Sequence, residues 1–275
     1  MKKRGQFTLF VVLGIVLVLL VFLVYLFRED IFVAFSEELS YPSEVQEVVD
    51  WNTECLDAAA KEAVSYVSLR AGHYGTDSSF AVDFGDILIP YGYYSRQNTL
   101  LSLDQIELNM EAYLKDIAPI SCYFFNPYVA ENNLSLEGFD LEVGIEDETV
   151  QVTWDVPMSF TSESGAYNLD AEHISLVPVR LGFVHGVANH IVEDFVEDPS
   201  SFDTESMLDY GVSVDIVQML DGNNYLIRLV DSEIIDEEGN SYVFVFMGYF
   251  DECYEDEDCG DGFTCEENFC VGEEA

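Results

Sequence analysis

Hydrophobic residues follow three different patterns along this chain. From Phe7 to Phe27 they form a run without a charged residue. Within 43–70, 103–117 and 179–197 they recur every three or four positions, which is the spacing of amphipathic helices. In several later segments they alternate with polar residues, as in half-buried strands. The sequence therefore predicts an apolar N-terminal helix followed by a region of mixed helices and strands.

Turn residues between the alternating segments predict antiparallel hairpins. Glu146-Asp147-Glu148 and Asp221-Gly222-Asn223-Asn224 are two such turns. Residues 73–100 are rich in Gly, Tyr and Phe and predict loop with a short strand. The expected fold class is α+β, with helices packed on a mainly antiparallel sheet. The strands are expected over 139–145, 149–160, 211–220, 225–230 and 241–250.

The N-terminal apolar run predicts a transmembrane helix. Its length matches the hydrocarbon core of a bilayer, about 30 Å thick, and exceeds that of a secretory signal. Lys2, Lys3 and Arg4 precede it, whereas only Arg28 follows it closely. The positive-inside rule then places the N-terminus in the cytoplasm and the remainder outside the cell.

This topology predicts a single-pass protein of the cell membrane with an extracellular C-terminal region. The basic tail comprises residues 1–6, and the transmembrane helix comprises residues 7–27. A stalk over 28–42 leads to an exterior α+β domain over 43–250. Residues 251–275 form an acidic module rich in cysteine.

The charge of the chain restricts its partners. It has 53 acidic and 10 basic residues, a net charge of −43, and all the acids follow Arg28. Nucleic acid and anionic lipid surfaces are therefore excluded as partners of the exterior region, because both require Lys and Arg. The acidity indicates either a surface adapted to salt or binding of Ca²⁺. Asp256, Asp258 and Asp261 are the candidate calcium ligands, although their spacing does not match an EF-hand loop.

Six cysteines, all in the predicted exterior region, indicate disulfides. Cys55 lies in the first predicted helix of this region, and Cys122 follows the second. If the last four cysteines pair among themselves, Cys55 must pair with Cys122. That bond would stabilise the fold by about 3–4 kcal/mol in the chain-entropy model. Asn133 begins an Asn-Leu-Ser sequon and is a candidate glycosylation site.

The residues Lys-Arg-Gly-Gln at 3–6, directly before the apolar run, resemble the leader of archaeal type IV pilins. The resemblance implies cleavage between Gly5 and Gln6. The fifth residue after that cut, usually Glu in the family, is Phe10. The opening is also similar to that of archaeal single-pass surface proteins, and this second group is the one we favour.

The C-terminal cysteines have the spacing C-x5-C-x5-C-x4-C. This stretch resembles the small cysteine modules of Dickkopf-type and EGF-like extracellular proteins. The resemblance implies the pairs Cys253–Cys265 and Cys259–Cys270, although four cysteines permit three connectivities. Zinc ligation by the four thiolates is the less favoured alternative, because no C-x2-C pair is present.

Motifs for catalysis or for an organic cofactor are absent from the sequence. It has no G-x-S-x-G, no phosphate-binding loop and no G-x-G-x-x-G. His185 and His190 are five residues apart, so they lie on different sides of a helix and predict structural roles. Ca²⁺ is the one candidate cofactor. The tyrosine-rich segment 89–94 predicts either a recognition surface or a cover over the core.

These features predict a non-enzymatic surface protein with a structural, adhesion or partner-binding role. Its partners are the membrane, through the N-terminal helix, and a protein or envelope component. One alternative is a pilin-like filament subunit cleaved after Gly5. The other is an extracellular hydrolase whose catalytic residues are adjacent only in space.

Overall fold

The computed structural model of the chain describes twelve stretches of residues from Pro42 onwards. The predicted tail, transmembrane helix and stalk lie outside them, apart from Pro42. No helix within these stretches is both long and apolar enough to cross a membrane. The chain divides into two units after Gln46, and the description below concerns the second unit together with helix α1, which runs across the boundary. The stretches are 42–75, 80–85, 87–124, 129, 134–162, 165–169, 172–198, 211–220, 222–235, 239–250, 263–266 and 269–272.

Three α-helices and fourteen strands are formed by these residues, and the fold is α+β with mainly antiparallel sheets, as expected. The helices are α1 (Ser43–Ser68), α2 (Leu103–Ala118) and α3 (Leu181–Glu197), and a short π-helix (Pro119–Phe124) follows α2. The first seven strands are β1 (Ala81–Phe84), β2 (Ile87–Tyr94), β3 (Gln97–Asn98), β4 (Ser135–Leu136), β5 (Asp140–Ile145), β6 (Val150–Asp155) and β7 (Met158–Ser162). The others are β8 (Gly165–Leu169), β9 (Glu172–Val177), β10 (Ser213–Gln218), β11 (Asn224–Ile235), β12 (Ser241–Tyr249), β13 (Phe263–Glu266) and β14 (Phe269–Gly272).

The largest sheet has the strand order β1-β2-β12-β11-β10, with β3 paired to β2. Strands β2 and β12 are parallel, whereas the other pairs in this sheet are antiparallel. Two three-stranded sheets have the orders β5-β6-β9 and β4-β7-β8, and β13 and β14 form a separate hairpin. The hairpins joining β5 to β6 and β10 to β11 confirm two of the predicted turns.

Two strand predictions were wrong. Residues 73–100 contain the eight-residue strand β2, whose Pro90 and Gly92 are typical of loops. The parallel partner β12 pairs with β2 only from Tyr91 onwards. Pro90, which has no backbone N–H, is therefore not required to donate a hydrogen bond to β12. The segment 149–160 forms two strands instead of one, with a break at Val156-Pro157 between β6 and β7.

The ends of the helices follow local rules. Ser102 caps α2 in a reciprocal capping box with Gln105. Beyond the end of α1, the Val67 carbonyl accepts the N–H of Gly72 at 2.8 Å, as in a left-handed helix terminus. Gly72 has φ +84°, and a Cβ there would lie 2.4 Å from Cγ1 of Ile106 on α2. Glycine is therefore required at position 72 both by the backbone and by the approach of α2.

Helix α3 covers one side of the large sheet. Its apolar residues face the sheet as the periodicity predicts: Leu181, Val184, Val187, Ala188, Ile191 and Phe195 are all buried. Phe195 contacts the rings of Tyr93 and Phe250, at centroid distances of 5.9 and 5.3 Å. This packing buries large aromatic rings. Each Å² of apolar surface removed from water stabilises the fold by about 25 cal/mol.

Helix α2 covers the edge strand β5 of a three-stranded sheet. The Glu107 carboxylate accepts the backbone N–H of Ile145 at 2.8 Å, and Glu111 accepts that of Val143 at 3.4 Å. One turn further along α2, Lys115 contacts the Asp140 carboxylate at 3.2 Å. The helix thus supplies acceptors to an otherwise open sheet edge, which prevents pairing with another strand there.

A disulfide joins α1 to the π-helix that follows α2. Cys55 is bonded to Cys122, with the two Cα atoms 5.8 Å apart, which confirms the predicted pair. Beside this bond, the Tyr123 hydroxyl donates to the Asn52 side chain. The six-residue π-helix places Cys122 and Tyr123 against α1 while leaving Phe124 exposed.

Candidate binding surface

The side of the large sheet that faces away from α3 is mostly apolar. Register places Tyr91 beside Met247, and Tyr94 beside Tyr249, on this side. On the next strand Leu226 lies opposite Met247, and an outward Val217 lies opposite Leu226. We call this side of the sheet the aromatic face. Its apolar residues are Phe80, Val82, Phe84, Ile87, Ile89, Tyr91, Tyr94, Val217, Leu226, Val230, Val243, Val245, Met247 and Tyr249.

Rings of the aromatic face contact one another and remain partly open to solvent. Tyr94 is stacked on Tyr249 at a centroid distance of 5.0 Å, and Tyr91 meets Tyr94 at 5.1 Å. Phe80 contacts Tyr94 at 5.2 Å and retains 45% of its exposure. Phe84 retains 48%. On the same side of the sheet, Met247 and Val245 are buried under neighbours that include Leu69. The large apolar residues of this face that remain exposed are Phe80, Phe84 and Val217.

The aromatic face differs from the rest of the molecule in charge. Asp215 is the one acidic residue among its outward strand positions in the described part of β1, β2 and β10–β12. That carboxylate is bound by Arg228 on the neighbouring strand, with Nη2 2.5 Å from Oδ2. Because acids make up 53 of 275 residues, a face this poor in carboxylate is unusual within the chain.

The tyrosine-rich segment divides its rings between the two sides of the sheet. Tyr93 points inward, is 1% exposed and packs on Phe250 at 4.6 Å. Tyr91 and Tyr94 point outward. The register between β2 and β12 shifts at Gly92, because Tyr91 pairs with Met247 and Tyr93 pairs with Gly248. A Cβ on Gly92 would be 2.6 Å from side-chain atoms of Leu100 and Phe246. Sequence alternation alone could not assign these rings, because the shift in register reverses the side on which they lie.

A cluster of polar side chains connects α1 with β9. Asp57 Oδ1 accepts the hydroxyl of Ser175 at 2.6 Å and lies 2.8 Å from His173 Nε2. The indole N–H of Trp154 donates to the Ser175 oxygen at 2.9 Å. In a nucleophilic triad the imidazole lies between the hydroxyl and the carboxylate, whereas here the carboxylate lies between the other two groups. The Ser175 proton is therefore held by Asp57, and the cluster fastens the helix to the sheet.

A buried ion pair lies at the start of α3. Arg180 donates from Nε and Nη2 to the two oxygens of Asp231, at 2.7 and 2.8 Å. Asp231 is fully buried, and its Oδ1 also accepts the backbone N–H of Glu233. Hydrogen bonding to Asp231 is the main cause that raises the pKa of Arg180. No sequence signal joins the two partners, because they are 51 residues apart.

The two histidines of α3 occupy different environments, as their spacing predicts. His185 is 8% exposed, and its Nε2 lies 2.7 Å from the Leu101 carbonyl oxygen. Burial lowers the pKa of His185 below 6.5, against the opposing effect of the Leu101 hydrogen bond. His190 is exposed. The neutral His185 thus donates to Leu101 and connects α3 to the segment before α2.

The other predicted site residues lie outside the part of the chain whose side chains the structure describes. They are the candidate calcium ligands Asp256, Asp258 and Asp261, the sequon residue Asn133, the cleavage residues Gly5 and Gln6, and the cysteines Cys253, Cys259, Cys265 and Cys270. The backbones of Cys265 and Cys270 lie opposite each other in the β13–β14 hairpin. Across the described stretches, no three His, Cys, Asp or Glu residues are grouped as a metal site would require.

Comparison of the chain with protein-family models, with curated proteins and with solved structures found no match. The exposed apolar side chains of the aromatic face and its scarcity of acids make this face the candidate functional site.

Proposed function

We propose that this chain is a membrane-anchored cell-surface protein whose exterior domain binds a partner through the aromatic face. One observation carries the proposal: a sheet face with exposed Phe80 and Phe84 in a chain of net charge −43. The anchor and the extracellular location rest on the apolar run Phe7–Phe27 and the basic residues before it.

An exposed aromatic surface costs stability in water unless something covers it. A sheet with one solvated side ordinarily carries polar residues there, since a polar outward face avoids this cost. Continuous apolar patches on monomeric proteins mark interaction sites, and aromatic residues are enriched in the cores of interfaces. Tyr94 and Tyr249 also bring hydroxyl groups, which allow a surface to remain soluble when its partner is absent.

The filament-subunit alternative rests on the leader-like residues 3–6. Its test is the intact mass of the protein extracted from native membranes. A chain that begins at Gln6 would support leader processing, and a chain that retains residues 1–5 would contradict it. The hydrolase alternative gains no support from Asp57, His173 and Ser175, because their order differs from that of a triad.

The partner-binding role can be tested by site-specific photo-crosslinking in intact cells. Benzoylphenylalanine would replace Phe84 on the aromatic face or, as the matched control, Phe124 on the π-helix, which is 73% exposed. We expect a discrete crosslinked species from position 84 and none from position 124. Absence of a product at 84, or the same products at both positions, would contradict binding through this face.

A further inference from the structure

The charge and the chemistry of the aromatic face together specify the class of its partner. We infer that the aromatic face binds a polypeptide segment in which lysine or arginine residues are interspersed with apolar ones. This inference rests on the proposed function, because it names the partner of the same surface. It follows from three observations: the long-range field, the distribution of acids and the identity of the exposed side chains.

The field of the molecule attracts cationic ligands. After Arg28 the chain carries six basic residues against 53 acids, so a negative potential surrounds the exterior domain. A second copy of this chain, or any acidic partner, would be repelled by this potential during approach. A segment rich in lysine or arginine would be attracted, and its association would be faster at low salt.

The described strands of the aromatic face carry few carboxylates that a partner would have to dehydrate. Asp215 is already paired with Arg228, and Asp83 on β1 points away from the aromatic face. An apolar partner residue therefore meets the exposed apolar side chains of Phe80, Phe84 and Val217. Basic partner residues are attracted by the negative charge of the chain, and exposed charges at the rim of an interface set specificity and association rate.

The exposed side chains also suit cations directly. Aromatic faces attract ammonium and guanidinium groups, and the chain already uses such contacts. The Arg70 guanidinium lies 3.7 Å from the centroid of Tyr66, and that of Arg180 lies 4.6 Å from Phe183. The exposed rings Phe80 and Phe84 offer the same kind of surface to side chains of a partner.

The test uses the full-length protein in lipid nanodiscs and three fluorescent synthetic peptides. Each peptide alternates valine with one other residue, which is lysine, serine or glutamate. Fluorescence anisotropy measures their affinities at low and at physiological salt. We expect the lysine peptide to bind at least about tenfold more tightly than the serine peptide, and the glutamate peptide to bind most weakly.

Variants separate binding at the face from general attraction to an acidic protein. The double variant Phe80→Ser with Phe84→Ser should weaken the lysine peptide about tenfold or more, whereas Phe124→Ser should leave its affinity unchanged. All three residues are exposed, so their replacement preserves the core. Equal affinity for the double variant and the unaltered protein would overturn the inference.

The outcomes distinguish this inference from the proposed function. If the serine peptide binds as tightly as the lysine peptide and both lose affinity in the double variant, the partner is neutral. The inference then fails while the partner-binding role stands. If a crosslinked partner forms at position 84 but proves to be a second copy of this chain, the inference is likewise overturned. If neither peptides nor crosslinks involve the face, both fail.

Discussion

The buried pair Arg180–Asp231 leads to a prediction whose magnitude the structure constrains. Asp231 is fully buried and the Arg180 side chain is 17% exposed, so loss of the arginine leaves a carboxylate without its compensating charge. Breaking such a pair from one side costs about 3–5 kcal/mol. We therefore expect Arg180→Leu to lower the free energy of unfolding by about that amount, a large part of the usual 5–15 kcal/mol.

The chain contains its own control for this prediction. Arg228 also donates from Nε and Nη2 to a carboxylate, in this case to one oxygen of Asp215, but the two side chains are 52% and 46% exposed. Exposed pairs contribute about 0–1 kcal/mol, so Arg228→Leu should have a small effect. Adding Asp231→Leu to Arg180→Leu should recover most of the loss, because the carboxylate that then lacks its arginine, Glu233, is 67% exposed and no buried charge is left unpaired. Urea denaturation of the full chain in nanodiscs, followed by tryptophan fluorescence, measures all four proteins. Equal losses for Arg180→Leu and Arg228→Leu would refute the reasoning.

Three further changes test other parts of the fold. Gly72→Ala should cost about 2–4 kcal/mol by urea denaturation, from backbone strain and the contact with Ile106, whereas Gly75→Ala, which meets open space, should cost only about 1. Because the pKa of His185 is lowered by burial, the unfolded state binds more protons below pH 6.5. Stability should therefore fall there by up to about 1.4 kcal/mol per pH unit, and His185→Gln should flatten that slope; an unchanged slope would contradict it. Paired replacement of Cys55 and Cys122 by Ser should cost about 4 kcal/mol, and an unchanged urea midpoint would show that their bond contributes little.

Elements governed by local rules were predictable from the sequence. Helix α3 has an apolar stripe with helical spacing, and the structure buries that stripe against the sheet. The helix was predictable because its apolar stripe lies within one continuous segment. The pair Cys55–Cys122 was predicted on the condition that the last four cysteines pair among themselves, and the structure contains this bond.

Features that depend on distant parts of the chain were not predictable. Strand β2 contains Pro90 and Gly92, which are unfavourable in an isolated strand. Both are accommodated because the pairing of β2 with β12 begins at Tyr91 and because Phe246 fills the space beside Gly92. One signal of the aromatic face was present in the sequence. The nearly continuous apolar run of 241–250 is typical of a strand with apolar residues on both sides. The side of the sheet shared by these residues and the tyrosines of β2 could be assigned only from the register between the two strands.

Protection of the aromatic face in living cells tests the central claim most directly. Hydroxyl-radical labelling followed by mass spectrometry would compare intact cells with the purified full chain in lipid nanodiscs. We expect Phe80 and Phe84 to be labelled much more slowly in cells than in nanodiscs, and Phe124 to be labelled equally in both. Equal labelling of Phe84 in the two preparations would show that nothing covers the face, and would contradict the partner-binding role.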